Sequence, residues 1–349
     1  MSQPYQVIQW ATGAVGTGCL QEVLRKPNLD LVGVLGYSDQ KAGVDAGQLA
    51  EFGDKPVGIA ATKDRAATIA TDADCVLCTP LAADLAQTDE DIVELLSSGK
   101  NTITTTGCFA PECRGPAVVG RLAEACRAGN SSLLGTGSNP GFMFDRVGPV
   151  LTGLSNEVDY VRLVETADAS KHPSVEMLTE ALGLGRKPAE VHGDTPYGEY
   201  WATFFSEVVT AVANGMGVTL DRIDTGLDIV TAPEDFDVAV GRIPADTVVG
   251  NCHRTTGIVD GKSLIRVEIY WSAHPGTGGW PVPAGLYRWE IEIAGRPSLR
   301  TRLDVVPSLE EGAGADYDPG VSGTAGTVIN AIPAVVAADA GIVRTSMIR

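Results

Sequence analysis

One local pattern restricts this chain more than any other. The apolar run Val7-Ile8-Gln9-Trp10 passes directly into Ala11-Thr12-Gly13-Ala14-Val15-Gly16, and then into a helical stripe of Val15, Cys19, Leu20, Val23 and Leu24. A strand, a tight turn and a helix N-terminus in that order form the dinucleotide-binding fingerprint, here with Ala11 in the first glycine position. Gly13 lets the backbone approach the phosphates, Gly16 lets the helix pack on the strand, and the helix N-terminus faces the pyrophosphate. Glycine turns are common, so the weight comes from position: this one opens a series of βα units. Ala11, Thr12, Gly13, Ala14, Val15 and Gly16 are therefore candidate cofactor-binding residues.

The series is read from short apolar runs at Gln6–Trp10, Leu31–Tyr37, Gly58–Ala60, Cys75–Thr79, Asn101–Thr105 and Ser132–Thr136. Helical stretches lie between them, with clear periodicity at Asp89–Ser98 and Gly115–Ala128. Alternation of this kind predicts a doubly wound parallel sheet, a Rossmann domain. Cofactor choice is decided at the end of the second strand, where an acid binds the adenosine ribose. Tyr37 and Ser38 come first there, with Lys41 close behind, which suits a 2′-phosphate; Asp39 equally suits NAD or a turn. The balance tips slightly towards NADP over NAD.

From Asp159 the character changes. A strand (Asp159–Glu165) and two helical segments (Val175–Leu182, Tyr200–Met216) precede strand-like runs at Arg222–Thr231, Val238–Ile243, Val248–Asp260, Ser263–Ser272, Tyr287–Ala294 and Ser298–Val306. Asp260-Gly261 is a hairpin signal, and strands without intervening helices predict a mostly antiparallel sheet in an α+β domain. A glycine-rich loop (Gly312–Gly323) and a helix (Thr324–Ala338) follow. The expected division is 1–155 for dinucleotide binding, 156–322 for substrate and dimerisation, and 323–349 for a C-terminal helix returning to the first domain.

Length and charge narrow the function. The 349 residues suit two cores better than one. A net charge of −18 with scattered Lys and Arg repels phosphate backbones, so the expected partner is a small molecule and no nucleic acid. No apolar stretch reaches the roughly 20 residues of a membrane span, and the polar start lacks a signal-peptide pattern; the expectation is a cytoplasmic protein without a membrane partner. Seven cysteines form an odd set of free thiols. Cys75 and Cys78, three apart in a strand, point to opposite faces, so no metal site is expected there.

Gly135–Phe142 (GTGSNPGF), with Trp10–Gly16, Asp45–Ala50 (DAGQLA), Glu165–Ser170 (ETADAS) and Asn330–Val335 (NAIPAV), resembles the dihydrodipicolinate reductase-like superfamily. Within it the chain is similar to the branch of 2,4-diaminopentanoate dehydrogenase and the native amine dehydrogenases. The resemblance implies a homodimer that passes hydride between nicotinamide and a substrate C=N or C=O carbon. It also implies that Asn139, Pro140 and Asn330 lie near the nicotinamide, with Thr79, Pro80 and Thr105 at flanking strand ends.

One departure bears on mechanism. Amine dehydrogenases of this type carry a glutamate after the fifth main strand, where it activates ammonia and binds the iminium; here Gly107 and Cys108 stand in that place. Glu112 follows on the same loop. The remaining catalytic candidates are Thr106, Cys108 and His172, with Phe109, Phe142, Phe144, Glu165 and His253 as candidate pocket residues. Each histidine has a surface or core reading beside the functional one, and the aromatic run Tyr197–Phe205 reads equally as core. The chain is expected to be an NAD(P)-dependent oxidoreductase, amine dehydrogenase-like, acting on a small, fairly apolar carbonyl or imine. The alternatives are a true amine dehydrogenase, which aminates ketones or aldehydes with ammonia, and a catalytically silent nicotinamide-binding regulatory protein.

Overall fold

The computed structural model describes residues 3–53, 56–81, 84–172, 174–239, 241–283, 285–310 and 317–344. The chain forms two compact units, Met1–Gly141 with Val321–Arg349, and Phe142–Gly320.

The first unit alternates strands and helices: β1 (Tyr5–Trp10), α1 (Ala14–Arg25), β2 (Leu29–Leu35), α2 (Ala46–Leu49), α3 (Arg65–Ala70), β3 (Cys75–Cys78), α4 (Leu85–Ser97), β4 (Asn101–Thr104), α5 (Pro116–Gly129) and β5 (Ser132–Gly135). All strands pair in parallel, in the order β5-β4-β3-β1-β2. Both faces of this sheet are covered, so its strands are nearly continuous apolar runs. Alternate residues feed two cores: Val7, Cys75, Leu77, Ile103 and Leu134 on one side, Ile8, Trp10, Val76, Cys78 and Leu133 on the other. Cys75 and Cys78 thus sit on opposite faces, and burial pushes both thiols well above the ordinary range.

The strand expected at Gly58–Ala60 does not form. Gly58 has φ +84°, and Ala60 and Thr62 make only isolated bridges, to Asp45 and Leu35. The Asp45 carboxylate gathers this segment into a loop, accepting from the N–H groups of Gly47 (2.8 Å), Val57 (3.0 Å) and Gly58 (2.9 Å).

The second unit contains α6 (Gly148–Thr152), β6 (Glu157–Asp168), α7 (Pro196–Met216), β7 (Arg222–Thr231), β8 (Phe236–Val238), β9 (Gly241–Ile243), β10 (Val248–Val259), β11 (Lys262–Ser272), β12 (Tyr287–Arg296) and β13 (Leu299–Val305). Its main sheet has the order β13-β12-β6-β11-β10-β7, parallel between β6 and β11 and antiparallel elsewhere. Asp260 (φ +50°) and Gly261 (φ +72°) make the left-handed two-residue turn that joins β10 to β11. Helix α7 lies against one face, close enough that a Cβ on Gly257 would meet Val209 Cγ1 at 2.7 Å.

Two expectations for this unit are corrected. Val238–Ile243 is not one strand; β8 and β9 pair with each other as a separate small hairpin. Val175–Leu182 is not a regular helix but a π-helical turn at Met177–Ala181, cut short by Gly183 and Gly185, both at positive φ.

The last helix, α8 (Pro319–Val336), begins earlier than the Thr324 start expected, because Pro319 suits a first helical turn and Asp318 Oδ1 accepts the Gly320 N–H at 2.8 Å. Residues 311–316 of the expected loop Gly312–Gly323 lie outside the described residues. From Val321 onward the helix belongs to the first unit, where Ala325, Val328, Ile329, Ile332 and Val335 join the core around Val7 and Leu20. A short strand, β14 (Gly341–Ile342), then extends the parallel sheet beside β5. Among the described residues no helix is long and apolar enough to cross a membrane.

Ile332 is fully buried in that core. Ile332→Ala is expected to destabilise the first unit by about 2–5 kcal/mol, measured as faster hydrogen exchange of the β1 and β3 amides.

Candidate functional site

The turn after β1 combines openness on one side with close packing on the other. A Cβ added at Gly13 would meet nothing within 4 Å. One added at Gly16 would collide with the Ala11 carbonyl oxygen and lie 2.9 Å from Thr79 Oγ1. Gly13 is the N-cap of α1, and the helix has neither a side-chain cap nor an acid in its first turn. Its leading N–H groups are thereby left to an anion, the physical requirement of a pyrophosphate cradle. The residues present fit a dinucleotide.

Ala11 occupies φ +75°, a left-handed conformation that costs a non-glycine residue about 1–2 kcal/mol. Its N–H donates to Leu35 O (2.9 Å), and its carbonyl accepts from Gln9 Nε2 (2.7 Å). Gln9 Nε2 also donates to Thr79 Oγ1 (2.8 Å). Sequence reasoning missed Gln9, although a fully buried glutamine in an apolar strand was the available signal.

Past β2, the candidates for cofactor choice have separate fates. The Tyr37 hydroxyl accepts from Trp10 Nε1 (2.9 Å) and donates to Asp91 Oδ2 (3.3 Å), while its ring is half exposed. Burial, then the neighbouring Cys78 and Asp91, pushes that hydroxyl far above its ordinary range. Asp91 is held in turn by Arg65 (2.9 Å). Lys41 Nζ donates to Thr12 O and ties this loop to the glycine turn. Asp39 pairs with Lys63 (2.6 Å), and Ser38 is exposed.

At the carboxyl ends of β3 and β4, Thr79 is buried beneath the turn, and Thr105 N–H donates to Cys78 O (3.2 Å). The Thr106 hydroxyl donates to Pro80 O (3.2 Å). Gly107 (φ +74°) and Cys108 (φ +64°) make a left-handed turn whose backbone lies on Gly135, where any Cβ would clash. Cys108 and Phe109 are buried, and Arg114 Nη2 reaches Cys108 Sγ at 3.6 Å. Arg114 is itself buried and engages both carboxylate oxygens of Asp89 (2.9 and 3.1 Å) through Nη1. Nothing in the spacing of the sequence announced this arginine. Glu112 pairs with Arg344 at 3.6 Å.

The loop Gly137–Gly141 includes Asn139 and Pro140, joined by a cis bond. It meets the start of α8 through small side chains: Ser138 N–H and the Ser138 hydroxyl lie 3.4 and 3.1 Å from Thr324 Oγ1. Asn330 lies on the exposed side of α8, opposite its apolar stripe.

The remaining candidates belong to the second unit. Phe144 is fully buried, and Phe142 lies under the Arg146 guanidinium, 5.0 Å from ring centroid to Cζ. Glu165, 6% exposed, accepts the indole N–H of Trp271 on one oxygen and that of Trp289 on the other, both at 2.8 Å. His172 Nδ1 accepts the Ser174 N–H (3.2 Å), so the neutral ring carries its proton on Nε2, and burial holds its pKa below the usual value. His253 is enclosed by the rings of Tyr197, Trp201, Phe205 and Trp271, with Nε2 3.4 Å from the Tyr197 hydroxyl. The aromatic run on α7 is core: Tyr197, Trp201, Phe204 and Phe205 are all buried. Among the described residues no group of three or more His, Cys, Asp or Glu side chains is placed to hold a metal ion.

Residues 142–348 match the family profile described as the 2,4-diaminopentanoate dehydrogenase C-terminal domain. The chain is 27% identical to an amine dehydrogenase of Streptomyces virginiae, over 96% of this chain and 93% of that one. It is 25% identical to a 2,4-diaminopentanoate dehydrogenase of Acetoanaerobium sticklandii, over 97% and 91%. A solved amine dehydrogenase from Mycobacterium smegmatis shares the fold, with a TM-score of 0.79 at 21% identity and coverage of 99% and 96%.

Two outcomes are expected from this geometry. Gly16→Ala lowers the melting temperature markedly, because its Cβ meets backbone, whereas Gly13→Ala leaves it within about 2 °C, as measured by calorimetry. Burial depresses the His253 pKa to about 3 from an ordinary 6.5, so as pH falls the unfolded state takes up the proton first. Its contribution is complete above pH 6.5 and is lost towards pH 3, by up to about 1.4 kcal/mol per pH unit; His253→Gln is expected to flatten that part of the stability profile in urea titrations.

Proposed function

The chain belongs to the family of the 2,4-diaminopentanoate dehydrogenase C-terminal domain and is an NAD(P)-dependent oxidoreductase, and we propose that it transfers hydride to or from a small, fairly apolar carbonyl or imine compound. The nicotinamide cofactor supplies or accepts the hydride. In this reading the turn Ala11–Gly16 binds the pyrophosphate, and the ends of β3 and β4 with the Asn139-Pro140 loop flank the nicotinamide.

The observation that carries the carbonyl reading is Arg114. At the position where the resemblance places the glutamate of amine-forming members, Cys108 has this guanidinium as a neighbour, clamped to Asp89. An iminium needs a nearby carboxylate as counter-charge, and ammonium needs one as base. On the same loop, Glu112 is paired with Arg344 at 3.6 Å. A guanidinium instead suits an oxygen that gains negative charge. Thr106, Cys108 and His172 are the proposed catalytic residues.

The reading includes a preference for NADP. Its support is Asp39, the acid nearest the end of β2, which is paired with Lys63, while Lys41 ties the same loop to the glycine turn through Thr12 O. It also includes a homodimer and a cytoplasmic location. The dimer is supported by the main sheet of the second unit, whose face away from α7 carries Val164, Cys252 and Tyr270 among Arg162, Arg266 and Glu268. Sedimentation velocity is expected to give twice the chain mass.

A second reading, reductive amination with ammonia, is favoured by Glu165, a buried carboxylate already held by two indoles. Oxidation of NADPH and NADH is measured against a panel of aliphatic and aromatic ketones and aldehydes, with and without ammonium. The expected result is ammonia-independent turnover with a lower KM for NADPH. Turnover that requires ammonium, and that disappears in Glu165→Gln, would replace the carbonyl reading with the amine-forming one.

A further inference from the structure

We propose that Gln9 is a positioning residue for the cofactor: its carboxamide tethers the Ala11 peptide in the left-handed conformation that aims the first turn of α1 at the pyrophosphate. This rests on the reading of Ala11–Gly16 as the cofactor turn.

Three observations combine. Ala11 has φ +75° at a place where the fingerprint ordinarily has glycine, so the backbone has no intrinsic preference for the shape it adopts. The Gln9 side chain, fully buried on β1, donates to Ala11 O at 2.7 Å and to Thr79 Oγ1 at 2.8 Å, linking the turn to the end of β3. Among the described residues its buried Oε1 has no hydrogen-bond partner. An amide accepts that loss only where its two N–H donors are needed, and the groups around Nε2 are acceptors: the Ala11, Leu77 and Trp10 carbonyls and the Thr79 hydroxyl.

The tether acts on direction. The Ala11 carbonyl lies over Gly16, so rotation of the Ala11 peptide moves the contact on which α1 rests. Glycine adopts positive φ without penalty, so a glycine at position 11 has less need of a tether. Gln9 and Ala11 are therefore coupled in a way that simple packing of β1 is not.

The test is a double-mutant cycle in the full chain with Gln9→Leu, Ala11→Gly and both together, reading the NADPH dissociation constant, kcat and KM. Gln9→Leu is expected to weaken NADPH binding about tenfold with kcat at saturating cofactor changed less than about twofold. In the Ala11→Gly background the same change is expected to weaken binding less than about threefold. Unchanged binding in Gln9→Leu, or an equal loss in both backgrounds, overturns the proposal. Gln9→Met, which keeps volume and flexibility, serves if the leucine variant does not fold. If the wild-type chain binds neither NADPH nor NADH, the cofactor reading fails separately; urea midpoints across the same cycle then decide the tether, by whether Ala11→Gly recovers stability lost in the Gln9 variant.

Discussion

The contact between the Ala11 carbonyl and the backbone of Gly16 is the constraint from which the first unit is organised. It requires a residue without Cβ at position 16, a left-handed peptide at position 11, and a donor beneath the turn, supplied by Gln9. With α1 held this close, its N-terminus points past Gly13 into open space. The same closeness fixes where α1 runs over β1 and β3, and Gly18, two residues further on, lies against the Val321–Ala325 part of α8. Each small residue on this helix thus answers to a different neighbour.

The second unit is tied together by a different kind of contact. Glu165 stands opposite Trp289 in the β6–β12 register and beside Trp271 of β11, and each indole satisfies one of its oxygens. A carboxylate taken out of water costs several kcal/mol unless it is paired or hydrogen-bonded. A one-residue slip of either neighbouring strand would move an indole to the opposite face and leave that cost uncompensated. The pair of tryptophans therefore helps to specify the register of the three central strands.

Much of this architecture was legible in the sequence because its signals are local. The run from Val7 to Gly16 dictates strand, turn and helix, and Asp260-Gly261 dictates a hairpin. The segment Gly58–Ala60 misleads because its apolar letters are outweighed by a side chain thirteen positions earlier, Asp45, whose three backbone partners no period reveals. The same limit applies at the site. Arg114 beside Cys108 and Asp91 beside Tyr37 are neighbours only once α4 and the strand ends are folded together. Residue types mark which side chains are able to do chemistry; long-range packing decides which charges stand next to them.

Helix α8 gives the chain a particular order of assembly. Its stripe from Ala325 to Val335 is part of the same core as Val7, Leu20 and Leu77, and β14 completes the sheet edge. More than three hundred residues must therefore emerge from the ribosome before the unit that begins the chain can close its core, although domains generally fold from the amino terminus as they are made. The second unit, Phe142–Gly320, is contiguous and complete before α8 exists. Synthesis from the amino terminus thus delivers the second unit first and the first unit last, and a nascent Rossmann sheet waits with one flank bare for the whole interval.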